Sequence, residues 1–379
     1  MKNIVLLLCS IFFSSSLLFP AKVYAVSAQY ACVMEAQTGQ VLYEKNAYNK
    51  HSMASTTKIM TALVAIEEGN PDALVTVSKH AAGTEGSSLY LKAGEEVLLS
   101  DLLYGLMLQS GNDAAIAIAE HISGSVDIFA EKMTSRAKEL GAKDTSFRNP
   151  NGLDADGHYT TAYDLALITR EALKNPYFSK ICATKTKSIR DGSQTVSNHN
   201  KLLSMYPGCI GVKTGFTKKT GRCLVSSAIR DGKQLICVTL NAPNDWQDHT
   251  ELLNNAFENT KRFPLLVSGM TVNSLSVSHG SADSVEMTAE EDFYITSPVD
   301  SRFRHIRITF KHPDIVNAPI RKGEVLGTAE IYYKDTLLST VNLLSSADVS
   351  YATPTKRAQF CKFFKKLLYF GCTGEKNVV

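Results

Sequence analysis

The 379-residue chain has no C-x-x-C pair, only one tryptophan, and no uninterrupted apolar run of bilayer-spanning length. Each absence narrows what the protein can be. Without closely spaced cysteines there is no zinc pattern and no dense disulfide framework. Eight cysteines are present, but Cys9 falls in the leader described below. The others, Cys32, Cys182, Cys209, Cys223, Cys237, Cys361 and Cys372, are scattered. Most are expected to be small buried hydrophobes; Cys209 with Cys223 is the one pair read as able to bridge. Charge of one sign is scarce too: the net charge is +3, too mild to argue for a nucleic-acid partner. What is there is ordinary for a globular protein, with 44% hydrophobic and 20% charged residues, in a length that suits two domains.

Residues 1–25 read as an export signal. Lys2 supplies the positive start, Ile4 to Leu18 an apolar stretch broken by serines, and Val23-Tyr24-Ala25 a small-residue cleavage site. Val26-Ser27-Ala28 is a second candidate site. An uncleaved anchor fits less well, because the run is short and serine-rich. The expected location is the extracytoplasmic face of the cell membrane, held peripherally.

Beyond the leader the pattern is α+β. Tyr30 to Glu35 and Val41 to Glu44 read as a hairpin around Thr38-Gly39. Helical runs follow at Ser55 to Glu68, Leu99 to Gln109, Asp113 to Ile122, Ile128 to Leu140, Tyr163 to Leu173 and Thr250 to Arg262. Leu224 to Ala228 and Leu235 to Leu240 are short strands joined by Arg230-Asp231-Gly232. Strands at both ends of a helical middle predict one sheet built from the two ends, with a helical cluster beside it. This first domain is placed at 26–262. From 263 to 350 helical periodicity disappears, and Ile306 to Phe310, Val325 to Tyr333 and Thr340 to Leu344 read as strands of a small all-β domain. Gly323, Gly327 and Asp335 are read as its turns. The segment 353–372 changes again. Phe360, Phe363, Phe364, Leu367 and Leu368 fall on one helical face, and Gln359, Lys362, Lys365 and Lys366 on the other. A helix of that kind suits the headgroup plane of an anionic membrane; docking on the protein itself is the alternative.

Three short motifs carry the chemistry. Ser55-Thr56-Thr57-Lys58 opens the first long helix, Ser110-Gly111-Asn112 breaks two helices, and Lys213-Thr214-Gly215 follows a strand-like run. A serine hydroxyl needs a base within reach, and positions i and i+3 of a helix share a face. Lys58 therefore stands beside Ser55. It can act as a base only if burial or a neighbouring cation destabilises its ammonium, and Lys213 is a candidate neighbour. Ser110 can pass a proton to a leaving amine, and Asn112 can bond a substrate peptide group. Lys213 and Thr214 suit a substrate carboxylate. Gly215 lets backbone approach, and the amides of Phe216 and Ser55 would form an oxyanion hole. Taken alone, Ser55 is an ordinary helix cap and the central triplet a cap for the next helix. Lys219-Thr220-Gly221 repeats the third motif but sits in a polar stretch that reads as a turn.

In this order the motifs resemble those of the low-molecular-mass penicillin-binding proteins, the serine-type D-alanyl-D-alanine carboxypeptidases. Leu103 to Met107, Asn149-Pro150-Asn151-Gly152-Leu153, His158 to Thr161 with Asp164, and Asn198 to Leu203 are also similar to that family. The resemblance implies a penicillin-binding/β-lactamase-like fold followed by the β-rich domain and an anchoring helix. It implies that Ser55 attacks the terminal D-Ala-D-Ala bond of a peptidoglycan stem peptide, that β-lactams acylate the same serine, and that no metal or organic cofactor is needed. Lys58 would be the base, Ser110 the relay, and Lys213 with Thr214 the carboxylate holder. The chain departs from the family pattern after its last core strand, where Asn244-Asp245-Trp246-Gln247-Asp248-His249 carries no arginine, as in a Gram-positive-like branch. Thr220 stands where alanine is usual. Trp246 is either a wall of the cleft or a core residue. A class A β-lactamase would need a Glu-x-x-Leu-Asn loop, which is not seen here. A non-catalytic penicillin sensor, which acylates once and signals, is the alternative of another class; the joint presence of Ser55, Lys58, Ser110 and Lys213 argues for turnover. A membrane scaffold gives no reason for a lysine one turn after the serine.

Overall fold

A computed structural model of the protein describes residues 26–299 and 305–353. The leader, and the 353–372 segment apart from Thr353, lie outside the described residues.

The first 20 described residues supply two strands, Tyr30–Glu35 and Val41–Lys45, turned at Gly39, whose φ of +74° only glycine adopts easily. Glu35 is buried and accepts from the amide and hydroxyl of Thr38, fixing that turn. The central strand Tyr30–Glu35 then pairs antiparallel with Lys233–Leu240 from the far end of the domain. Next come Gly221–Arg230 and, at the edge, Cys209–Thr217. The five-stranded sheet is thus assembled from the two ends of the domain, as the pattern predicts.

This sheet is buried on both faces, and period-2 alternation decides which side chain goes where. Cys32 and Met34 join the core shared with the helical cluster; Ala31 and Val33 join the opposite core, covered by the helix Asp245–Glu258. That helix begins at Asp245 and ends at Glu258, so the expected Thr250 to Arg262 span is displaced. Residues 260–266 are instead a strand, Thr260–Leu266, because β-branched and aromatic residues there pair with Phe293–Pro298. The helical middle contains Lys58–Glu68, Leu99–Tyr104, Asn112–Ser123, Val126–Glu139 and Ala162–Lys174. A further helix, Pro176–Ala183, has proline in its first turn and Asn175 capping Tyr177 and Phe178; its shortness hid it from periodicity.

Six strands between Thr271 and Ser345 form a second sheet around a core of Leu275, Met287, Ala329, Ile331, Val341 and Leu343. The strand Val325–Tyr333 has the expected bounds. Gly327, read as a turn, lies inside it at a bulge opposite Leu343: a glycine in a strand interior marks an irregularity of the ladder as readily as its end. Cys209 and Cys223 form no bridge, and the five described cysteines are all free.

Candidate active site

Ser55 lies on a single 3-10 turn, Ala54–Thr57, that runs straight into the helix Lys58–Glu68. The residue before it, Ala54, has φ +47°, a conformation costly for any side chain with a β-carbon. Surrounding contacts hold that conformation. Thr56 Oγ1 donates to Met53 O at 2.6 Å, and Thr61 Oγ1 to Pro150 O at 2.6 Å. Arg148 N donates to His158 Nδ1 at 3.0 Å, which leaves the Nε2 hydrogen for Thr57 Oγ1 at 2.8 Å. His158 is therefore a neutral strut; burial pushes its pKa down to about 4.

Lys58 is fully buried. Its Nζ lies 3.1 Å from Ser55 Oγ, donates to Asn112 Oδ1 at 2.7 Å and donates to Asn151 O. Asn112 Nδ2 donates to Glu85 O at 2.7 Å, so the amide orientation that turns Oδ1 to Lys58 follows from the network. The count matters. A neutral amine has two N–H donors and one lone pair. Two obligate acceptors use both hydrogens, and the lone pair is left for the hydroxyl of Ser55. The electrostatics agree: Lys58 is held well below its usual value of 10.5, by burial first and by the nearby Lys213 second, against Asp113.

The Asn149–Leu153 loop exists to present that carbonyl. Asn149 accepts from Gly152 N at 2.7 Å and donates to Leu153 O at 2.9 Å. Gly152 has φ +86°, and a β-carbon there would stand 2.0 Å from Ala54 O.

Ser110 adopts a left-handed conformation, φ 64° and ψ 31°, between the π-helical turn Gly105–Gln109 and the helix Asn112–Ser123. Its Oγ accepts from Lys213 Nζ at 3.1 Å; among the described residues no hydrogen bond joins it to Lys58. The capping alternative is not observed, since neither Ser110 nor Asn112 caps the helix that follows. Asp113 instead accepts from Ser88 Oγ and from the amides of Leu89 and Leu91, anchoring the loop that brings Ser87 to the cleft.

Lys213 is buried on the edge strand, and its Nζ also donates to Thr214 O at 2.9 Å. Burial lowers its pKa to about 7. Gly215 brings this strand against the serine turn: a β-carbon would meet Ser55 N and Thr56 N at 3.0 Å and Met53 O at 3.1 Å. Phe216 follows, largely exposed. The second K-T-G copy falls in the turn between strands. Thr220 is buried there, donating to Ser52 Oγ at 2.7 Å, and its carbonyl bonds His51 Nε2 at 3.0 Å.

A cleft of about 370 Å³ opens over these groups. Ser55, Ser110, Thr214, Gly215 and Phe216 line it, as does Trp246, which also packs on the core behind the sheet. Lys58, Asn112 and Lys213 do not line it. Asn112, expected to bond a substrate peptide group, has both ends of its amide engaged and instead orients Lys58. His199, Arg222 and Asp245 reach the cleft without having been singled out in the sequence as site residues. Among the described residues, no group of three or more His, Cys, Asp or Glu is placed to hold a metal.

Two sequence families match the chain. The one described as D-alanyl-D-alanine carboxypeptidase covers residues 18–244, and the one described as penicillin-binding protein 5, C-terminal domain, covers residues 261–351. The D-alanyl-D-alanine carboxypeptidase DacF of Bacillus subtilis is 36% identical over 355 residues, spanning 91% of this chain and 90% of that protein. Among solved structures, penicillin binding protein 5 from Haemophilus influenzae superposes with a TM-score of 0.63 at 29% identity, covering 86% of this chain and 98% of that one. A single-site variant of a Streptomyces DD-transpeptidase does so with 0.59 at 36% identity, covering 62% of this chain and 99% of that one.

Proposed function

This chain belongs to the family of D-alanyl-D-alanine carboxypeptidases, and we propose that Ser55, Lys58 and Ser110 carry out its reaction. The enzyme is serine-type: it removes the terminal D-alanine from peptidoglycan stem peptides and binds penicillin covalently. Ser55 Oγ attacks the carbonyl of the penultimate D-alanine as its proton passes to neutral Lys58. The amides of Ser55 and Phe216 receive the oxyanion. Ser110, held by Lys213, carries the proton on to the departing nitrogen. Free D-alanine leaves, and water attacks the ester carbonyl, giving the shortened peptide and restoring the hydroxyl. Thr214 bonds the substrate's terminal carboxylate, and Lys213, which sequence reasoning placed on that carboxylate, lies buried behind Ser110 and Thr214 instead. The observation that carries this reading is the 3.1 Å approach of a desolvated Lys58 Nζ to Ser55 Oγ, with both of its neutral-form hydrogens already taken.

The experiment uses diacetyl-Lys-D-Ala-D-Ala. The wild-type protein is expected to release D-alanine and Ser55→Ala to release none. Uptake of labelled penicillin without release would make the protein a sensor; rapid penicillin hydrolysis would make it a lactamase.

The protein is further proposed to be exported by residues 1–25 and held at the outer membrane surface by 353–372. Support comes from the sequence: a phenylalanine- and leucine-rich face opposite lysines. Among the described residues no helix is long and apolar enough to cross a membrane.

A further inference from the structure

A carboxypeptidase must recognise an anion, the free carboxylate that ends its substrate. The basic groups around Ser55 differ in how steadily they can supply positive charge. Lys58 is held well below 10.5 and serves Ser55. Lys213 is lowered to about 7, buried, and directed at Ser110 Oγ and Thr214 O. His199 is lowered by burial and by Lys213. Lys201 reaches the rim as an exposed point charge that no partner fixes among the described residues.

Arg222 is different. It opens the strand Gly221–Arg230 directly across from Phe216, one strand over from the third motif. Its side chain is 43% exposed and lines the cleft. An arginine keeps its charge at any working pH and offers five N–H donors in a fixed fork. One, on Nη2, is 2.9 Å from Asp245 Oδ2. Asp245 is only 3% exposed, and its Oδ1 accepts from Trp246 N at 3.0 Å, so the carboxylate is itself anchored in the first turn of its helix. The Trp246 ring lies 5.9 Å from the guanidinium carbon. Carboxylate and indole together orient the fork. Among the described residues its other donors have no protein acceptor. The arginine-free stretch Asn244–His249 thus contributes two residues that hold an arginine from the neighbouring strand.

We propose that Arg222, oriented by Asp245 and Trp246, is the specificity-determining contact for the terminal carboxylate, sharing it with Thr214. This rests on the carboxypeptidase reading of the cleft. A charge-assisted bond of this kind corresponds to roughly 10- to 100-fold in rate or affinity.

The test uses the full chain with two acylating probes, a penicillin and its methyl ester, which differ only in the carboxylate. Second-order acylation of Ser55 is followed by intact mass, with the KM for diacetyl-Lys-D-Ala-D-Ala and the Tm measured alongside. Arg222→Gln is expected to slow acylation by the acid roughly 10- to 100-fold, to leave the ester rate and Tm nearly unchanged, and to raise KM more than it lowers kcat. Arg222→Lys should recover part of the preference. An acid-to-ester ratio that stays at the wild-type value overturns the assignment, whether both rates fall together or neither moves. So does a KM on the tripeptide that does not change. A wild-type protein that neither takes up penicillin nor releases D-alanine overturns the carboxypeptidase reading itself, and this assignment with it.

Discussion

At the scale of single residues, two lysines in a small volume define each other. Neither is paired with a carboxylate, and both are buried. Burial disfavours the ammonium of each, and the charge of Lys213 adds to the penalty on Lys58. The result is a Lys58 ammonium whose pKa is held well below the ordinary lysine value, as the proposed base requires. That Ser55 meets Lys58 and Ser110 meets Lys213 was legible in the sequence because these groups sit in short motifs. Two things were not. The carbonyl of Asn151 has no letter of its own; a backbone acceptor shows only as the loop that turns it. Arg222 and Asp245 are far apart in sequence, and nothing in a single chain tells a rim arginine with a buried partner from any surface arginine. Asn112 shows the converse: its type was right for a substrate contact, but its neighbours had already engaged both ends of the amide.

At the scale of elements, the decisive junction is the edge strand Cys209–Thr217 against the turn Ala54–Thr57. A β-carbon at Gly215 would stand 3.0–3.1 Å from three backbone atoms of that turn, closer than ordinary van der Waals contact. Gly215→Ala is therefore expected to push strand and turn apart. The stability cost is that of one overpacked methyl, about 1–3 kcal/mol. Acylation should fall too, by less than the roughly 100-fold that a misplacement of about 1 Å costs, because these contacts call for a smaller shift. Urea unfolding and penicillin uptake measure the two separately; uptake at the wild-type rate would show that the junction does not set the geometry. The long periodic helices were readable from sequence. The start of Asp245–Glu258 was missed because its first turn carries polar residues that serve the cleft, and Gly327 misled because a bulge and a turn ask for the same residue.

At the scale of the whole molecule, the sheet joins the two ends of the catalytic domain, so the domain closes only when its last strands are in place. The chain then continues through Thr260–Leu266 into the β-rich domain, whose strand Phe293–Pro298 reaches back to the first hairpin through a bond from Gln37 Nε2 to Tyr294 O at 3.1 Å. In chain order the β-rich domain lies between the catalytic domain and the tail proposed to lie on the membrane. Deleting Pro354 to Val379 is expected to release the protein from anionic liposomes without loss of D-alanine release. Continued sedimentation of the shortened protein with liposomes would refute the anchor.

The central claim is that Lys58 is the neutral base for Ser55, and the measurement that bears on it most directly is the single-turnover rate of Ser55 acylation by a penicillin between pH 5 and pH 10. A base whose pKa is lowered is inactive only on the acid side of that lowered value. The rate should therefore rise with pH at the acid end and level off well below 10.5, the ordinary lysine value. A rate that keeps climbing until it approaches 10.5 would mean that Lys58 is an ordinary cation beside the serine, and would contradict the account.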